Sequence, residues 1–126
     1  MRVQLVYYVD TLGHIFHETV GLEGYTITST KNADETIRIL EEYSDESFLL
    51  FADNTIFNAE AMRVFAMVRS SPAVRRRVRI IGWNGLRDLD YLQERADGML
   101  DDFLPMPFTL DQLLSCIASN AAYLTE

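Results

Sequence analysis

The chain has 126 residues, 48% of them hydrophobic and 24% charged, with a formal net charge of −8 at pH 7. That length suits one ordinary globular domain over 1–126 with a proper apolar core, and the acidic balance disfavours sequence-independent binding to nucleic acid, which needs a basic surface. No apolar run approaches a membrane span, and one cysteine, Cys116, excludes an internal disulfide and suits a reducing cytoplasm.

Met1-Arg2 leads directly into Val3–Val9 (VQLVYYV). This β-rich apolar run predicts a buried first strand and does not resemble a signal peptide. Leu12, Ile15, Phe16 and Val20 recur at helical spacing, and that helix ends near Gly24. Tyr25–Ser29 is β-branched and alternating, a second strand. Asn32 with Glu35 forms a capping-box start for a helix carrying Ile37, Ile39 and Leu40 and ending near Tyr43. Phe48–Ala52 is an apolar run without polar alternation that stops at Asp53. Such a run predicts a strand buried on both faces of a parallel sheet. A helix with Met62, Phe65, Ala66 and Val68 follows, and Pro72 lies beyond its end. Val78–Gly82 is a fourth strand and Trp83-Asn84-Gly85 a turn at its carboxyl end. Leu86, Leu89 and Leu92 mark a fourth helix. Asp102–Leu104 is a short fifth strand, broken by Pro105-Met106-Pro107. Thr109 caps a last helix, with Gln112 completing a capping box.

Five β-α repeats with short connections predict an α/β fold, a parallel sheet wrapped by helices on both faces. In such sheets the functional crevice lies beyond the carboxyl ends of the strands. Asp53 therefore stands where a phosphorylated, metal-binding or catalytic acid would sit. The plain alternative is an Asp that merely opens the Asp53-Asn54 turn.

Other groupings carry less. Arg75, Arg76, Arg77 and Arg79 cluster after Pro72. We read them as a solvated loop entering a strand, with a docking patch for an acidic partner as the rival. His14, His17 and Glu18 share one helical face at metal-compatible spacing but lack a second shell, so no metal site is expected. No Gly-rich phosphate loop follows the first strand, and no nucleophile–base constellation converges on one place, so neither a cofactor nor an enzymatic activity is expected. Glu41-Glu42, Asp45-Glu46 and Asp101-Asp102 read as solvated edges, and Cys116 as a small core residue.

Three stretches resemble the receiver domain of bacterial two-component response regulators. Gly24-Tyr25 is similar to that family's Gly-aromatic lead-in to strand two. Phe48–Asp53 is similar to the strand that ends in its phosphoacceptor aspartate. Leu100-Asp101-Asp102-Phe103-Leu104-Pro105-Met106-Pro107-Phe108 resembles its Ala-Asp-Asp-Tyr-Leu-x-Lys-Pro-Phe segment. The resemblance implies a flavodoxin-like (βα)5 three-layer sandwich with a parallel five-stranded sheet of order 2-1-3-4-5. It also implies Asp53 as the phosphoacceptor equivalent, Phe103 as the switch aromatic and a cis bond at Met106–Pro107.

The family's chemistry is depleted here. The two acids that hold magnesium with the phosphoacceptor align with Tyr7-Tyr8, the Thr/Ser after strand four with Asn84, and the lysine before the cis-proline with Met106. Phosphoryl transfer depends on electrostatic positioning of the kind these changes remove. The resemblance therefore implies a degenerate, or pseudo-, receiver that signals by protein–protein contact. One rival is a conventional regulator phosphorylated at Asp53 in a phosphorelay from a histidine kinase. Another is a small-ligand sensor whose aromatic residues around Asp53 line a pocket. The family's output face, formed by the fourth helix, fifth strand and fifth helix, is where a protein partner or a second copy is expected. Here the last helix carries Leu110, Leu113, Leu114, Ile117, Ala118, Ala121, Ala122 and Leu124, more than one apolar stripe. The chain reads as standing alone or as one domain of a longer cytoplasmic regulator.

Overall fold

The structure is a computed structural model that describes residues 2–6, 18, 21, 24–43, 45–53, 59–83, 98–105 and 107–125. In chain order these form β1 (Arg2–Val6), β2 (Thr26–Thr30), α1 (Ala33–Glu42), β3 (Phe48–Asp53), α2 (Ala59–Ser70), α3 (Pro72–Arg75), β4 (Val78–Trp83), β5 (Asp102–Leu104) and α4 (Leu110–Thr125). The helix predicted over residues 86–92 lies outside the described residues, as do residues 12–17, 19 and 20 of the helix predicted over 12–20 and Tyr7–Val9 of the first predicted strand.

Local chemistry sets the element ends. Asn32 is extended (φ −151°, ψ 167°) and its Oδ1 accepts from Glu35 N at 2.9 Å. Glu35 Oε2 reaches back to Lys31 N at 3.3 Å, one residue before the cap. At α4 the box is reciprocal: Thr109 Oγ1 accepts from Gln112 N at 3.1 Å, and Gln112 Oε1 accepts from Thr109 N at 2.8 Å. Each satisfies a backbone donor that the first turn leaves orphaned. Gly24 has φ +88°, a left-handed value that favours glycine, just before Tyr25 and β2.

The strands pair in parallel in the order β2-β1-β3-β4-β5. Side chains alternate between faces, and two apolar clusters result. Phe48, Leu50, Ala52, Val78 and Ile80 pack with Leu40 of α1 and Val64, Phe65 and Val68 of α2. Leu49, Phe51, Ile81, Trp83 and Leu104 pack with Leu113 and Ile117 of α4. Residues 48–52 are buried throughout, which is why that run lacks polar alternation. Burying each large side chain contributes roughly 1.5–3 kcal/mol. Trp83, expected in a turn, is instead the last residue of β4.

The arginine run is not a solvated loop. Ser71 caps α3, with Pro72 opening it and Ser71 Oγ accepting from Val74 N. Arg75 grips Asp101 with both terminal nitrogens, at 2.5 and 3.1 Å, and donates to Val78 O at 2.9 Å. Arg77 donates to Leu40 O, Tyr43 O and Glu46 O at 3.2, 3.1 and 2.8 Å. The last turn of α1 has no basic residue of its own, so Arg77 supplies the cation that a helix carboxyl end favours. Arg79 donates from Nε to Asn120 Oδ1 at 3.1 Å. Arg76 of the same cluster is exposed.

The Asp101-Asp102 edge needs the same correction. Asp101 is 11% exposed, and besides Arg75 its Oδ2 accepts from Ile80 N at 2.7 Å. Asp102 is tied to α4, as described next.

Candidate functional site

Asp53 ends β3 at the carboxyl edge of the sheet, as the apolar run before it predicts. Its register partner on β4 is Trp83. Both strands are six residues long and begin in register at Phe48 and Val78, so their last residues fall in one row. The resemblance gives Asn84 the hydrogen-bonding role beside Asp53, and Asn84 lies outside the described residues; the residue in register with Asp53 is Trp83. Equal strand lengths were the signal available for it. Tyr7, Tyr8, Asn84 and Met106 lie outside the described residues, and with Met106 the peptide bond to Pro107; Pro107 itself is exposed.

Trp83 is 0% exposed. Its ring meets Phe51 edge-on at 5.7 Å and 68° and stacks on Phe108 at 6.3 Å and 26°. Offset and edge-on pairs of this kind add about 0.5–1.5 kcal/mol beyond their burial. An indole offers one N–H donor and no charge. The arginine cluster is remote from this row. Arg77 and Arg79 stand at the start of β4, and with a rise of about 3.3 Å per residue they lie roughly 13–20 Å from the row of Asp53. Phe103 is half-buried against the other cluster, on the α1 and α2 face.

Between β5 and α4 lies a polar network. Asp102 Oδ2 accepts from Asn120 Nδ2 at 2.8 Å, and its Oδ1 accepts from Phe103 N at 2.7 Å. Asn120 Nδ2 also donates to Cys116 O at 2.8 Å. Arg79 lies 4.0 Å over the Tyr123 ring. Cys116 approaches Asp102 Oδ2 at 3.7 Å. Burial, and then the Asp102 charge, push its thiol up to about 12, which makes it a packed side chain and not a nucleophile.

Among the described residues no group of three or more His, Cys, Asp or Glu side chains could hold a metal ion. Glu18 is exposed, and His14 and His17 lie outside the described residues. No helix among the described residues is long and apolar enough to cross a membrane.

No protein-family profile matches the chain, and no curated protein matches it. Solved structures do. The receiver domain of a sensor histidine kinase from Pseudomonas aeruginosa PAO1, with a magnesium ion in its active-site cleft, is 17% identical at a TM-score of 0.75, covering 99% of this chain and 98% of that one. A response regulator receiver domain protein from Methanospirillum hungatei JF-1 is 13% identical at 0.73, covering 98% and 96%. A two-component response regulator from Clostridium difficile is 12% identical at 0.75, covering 100% and 99%. At such identities the likeness is one of fold.

Proposed function

We propose that this chain is a receiver-like signal-transduction module that acts by protein–protein contact and not as an enzyme, with phosphorylation of Asp53 lost or atypical. The observation that carries this reading is the row shared by Asp53 and Trp83. A phosphoryl group on a strand-ending aspartate is stabilised by fixed donors and cations at the strand ends. The neighbouring place here holds an uncharged indole sealed between Phe51 and Phe108. The same burial speaks against a small-ligand sensor with Trp83 as an open pocket wall. The conventional alternative, phosphorylation at Asp53 by a histidine kinase, is separated by experiment. Incubation with acetyl phosphate and magnesium, followed by intact-mass analysis, should leave the mass unchanged. Magnesium at constant ionic strength should leave the melting temperature unmoved, since only a ligand bound to the native state raises it. A stoichiometric phosphate adduct that disappears in Asp53→Ala would sink the reading.

The partner face proposed is that of β5 and α4 with the segment around the fourth predicted helix. On α4, Ala118 and Ala122 are exposed, as are Leu110 (48%) and Tyr123 (64%). Residues 112–125 carry no charge in a chain of net −8. A neutral, partly apolar face lets a second copy or a partner approach without like-charge repulsion. Ala118→Glu and Ala122→Glu should each weaken self-association or partner binding in sedimentation while leaving the melting curve within a degree or so, as surface changes do. Unchanged association in both would place the interface elsewhere.

A further inference from the structure

Hydrophobicity alone does not select the face that α4 turns to the sheet. The stripe that packs inward is Leu113, Ile117, Asn120 and Leu124, with Asn120 only 1% exposed. The neighbouring stripe, Leu110, Leu114, Ile117 and Ala121, is apolar at every position. The two differ by three residues, or a rotation of about 60° and a slide of about 4.5 Å. Burial of apolar area would favour the second stripe.

The Asn120 amide is matched on both ends by neighbouring strands. Its Nδ2 donates to Asp102 on β5 and its Oδ1 accepts from Arg79 on β4. A 60° rotation would withdraw the amide from both and leave a carboxylate and a guanidinium half-buried without it. Polar groups left unpaired in that setting are costly, whereas a fully connected network specifies one arrangement. We infer that Asn120 is a register key: the Arg79–Asn120–Asp102 relay fixes the rotation of α4 on the sheet, and so decides that Leu110, Ala118, Ala122 and Tyr123 form its outward face. A buried Asn that sets register at the expense of stability is the best-attested use of such a group. The inference rests on packing and holds whether or not Asp53 is phosphorylated; only the use of the outward face for a partner rests on the function proposed above.

The thiol of Cys116 reports the rotation. It is half-buried now, and a 60° turn toward the apolar stripe would carry it away from the sheet into solvent. The test compares wild type, Asn120→Leu, Asp102→Leu, Asp102→Leu/Asn120→Leu and Arg79→Met, each under native conditions at pH 8 with iodoacetamide, alongside thermal melts. Asn120→Leu should be destabilised, and the double variant should regain at least half of the lost melting temperature, because the carboxylate that the lost amide would strand is removed with it and Arg79 keeps Asp101 at 3.9 Å. Cys116 should nonetheless be alkylated about tenfold faster or more in the double variant than in Asp102→Leu, which lacks the same charge beside the thiol but keeps the Asn120–Arg79 bond, as expected of a thiol that has become exposed. Arg79→Met should show a smaller rise. A folded double variant alkylated no faster than Asp102→Leu would overturn the inference. So would the failure of both Asn120 variants to fold, since the network would then act on stability and not on register.

Discussion

Replacing Trp83 with alanine should lower the unfolding free energy by about 3–5 kcal/mol, the range for truncating a large buried aromatic. Trp83 is fully enclosed and makes two ring contacts at once. The cavity would open between β4 and α4, where Leu104, Leu113 and Ile117 have few ways to collapse inward. For a domain of this size the midpoint of thermal unfolding should fall by roughly 10–15 °C. Trp83→Phe keeps a ring against Phe51 and Phe108 and should cost only about 1–2 kcal/mol. Circular dichroism in urea is the suitable measurement, because Trp83 is the only tryptophan and its loss removes the fluorescence signal. A loss below about 1 kcal/mol for the alanine variant would mean that the indole is not the packed centre of this face.

Asp101→Ala should cost about 3 kcal/mol, although Asp101 stands in what reads as a solvated acidic edge. Its carboxylate meets Arg75 through both oxygens and also accepts from Ile80 N, and it is 11% exposed. Removing it strands a half-buried guanidinium and a β4 amide together. Asp34→Ala is the matched control. The Arg63–Asp34 contact is 2.7 Å, comparable in length, but its side chains are 52% and 80% exposed. Water screens that pair, so its loss should cost under about 1 kcal/mol. Equal losses in the two variants would show that burial does not decide the worth of these ion pairs.

The likeness to receiver structures and the proposed loss of phosphoryl chemistry bear on different questions. The fold depends on the two clusters that sandwich the sheet, and these involve Phe48 to Ala52 on β3 and Val78 to Trp83 on β4. Phosphoryl chemistry depends on a few charged atoms at the strand ends. A chain can therefore keep the first while losing the second, and a partner-binding module needs only the first.

The sequence by itself determined the α/β class, the strand at Phe48–Asp53, the position of Asp53 at its end and the caps at Asn32 and Thr109. Those features rest on alternation, on apolar run length and on hydrogen bonds spanning three or four residues, so the information is local. The tertiary structure alone decided the rest. Arg75, Arg77 and Arg79 look like a loop's charge run until the fold brings Asp101, the end of α1 and Asn120 of α4 within reach, and these partners lie 26 to 41 residues away in sequence. Trp83 reads as a turn residue until the register with β3 extends β4 to include it. The rotation of α4 is likewise invisible in a helix with two competing apolar stripes. Long polar side chains find partners wherever the sheet places them, and a buried carboxylate, guanidinium or amide must be paired or the arrangement fails. That requirement, absent from any local pattern, selects among packings that hydrophobicity leaves nearly equal.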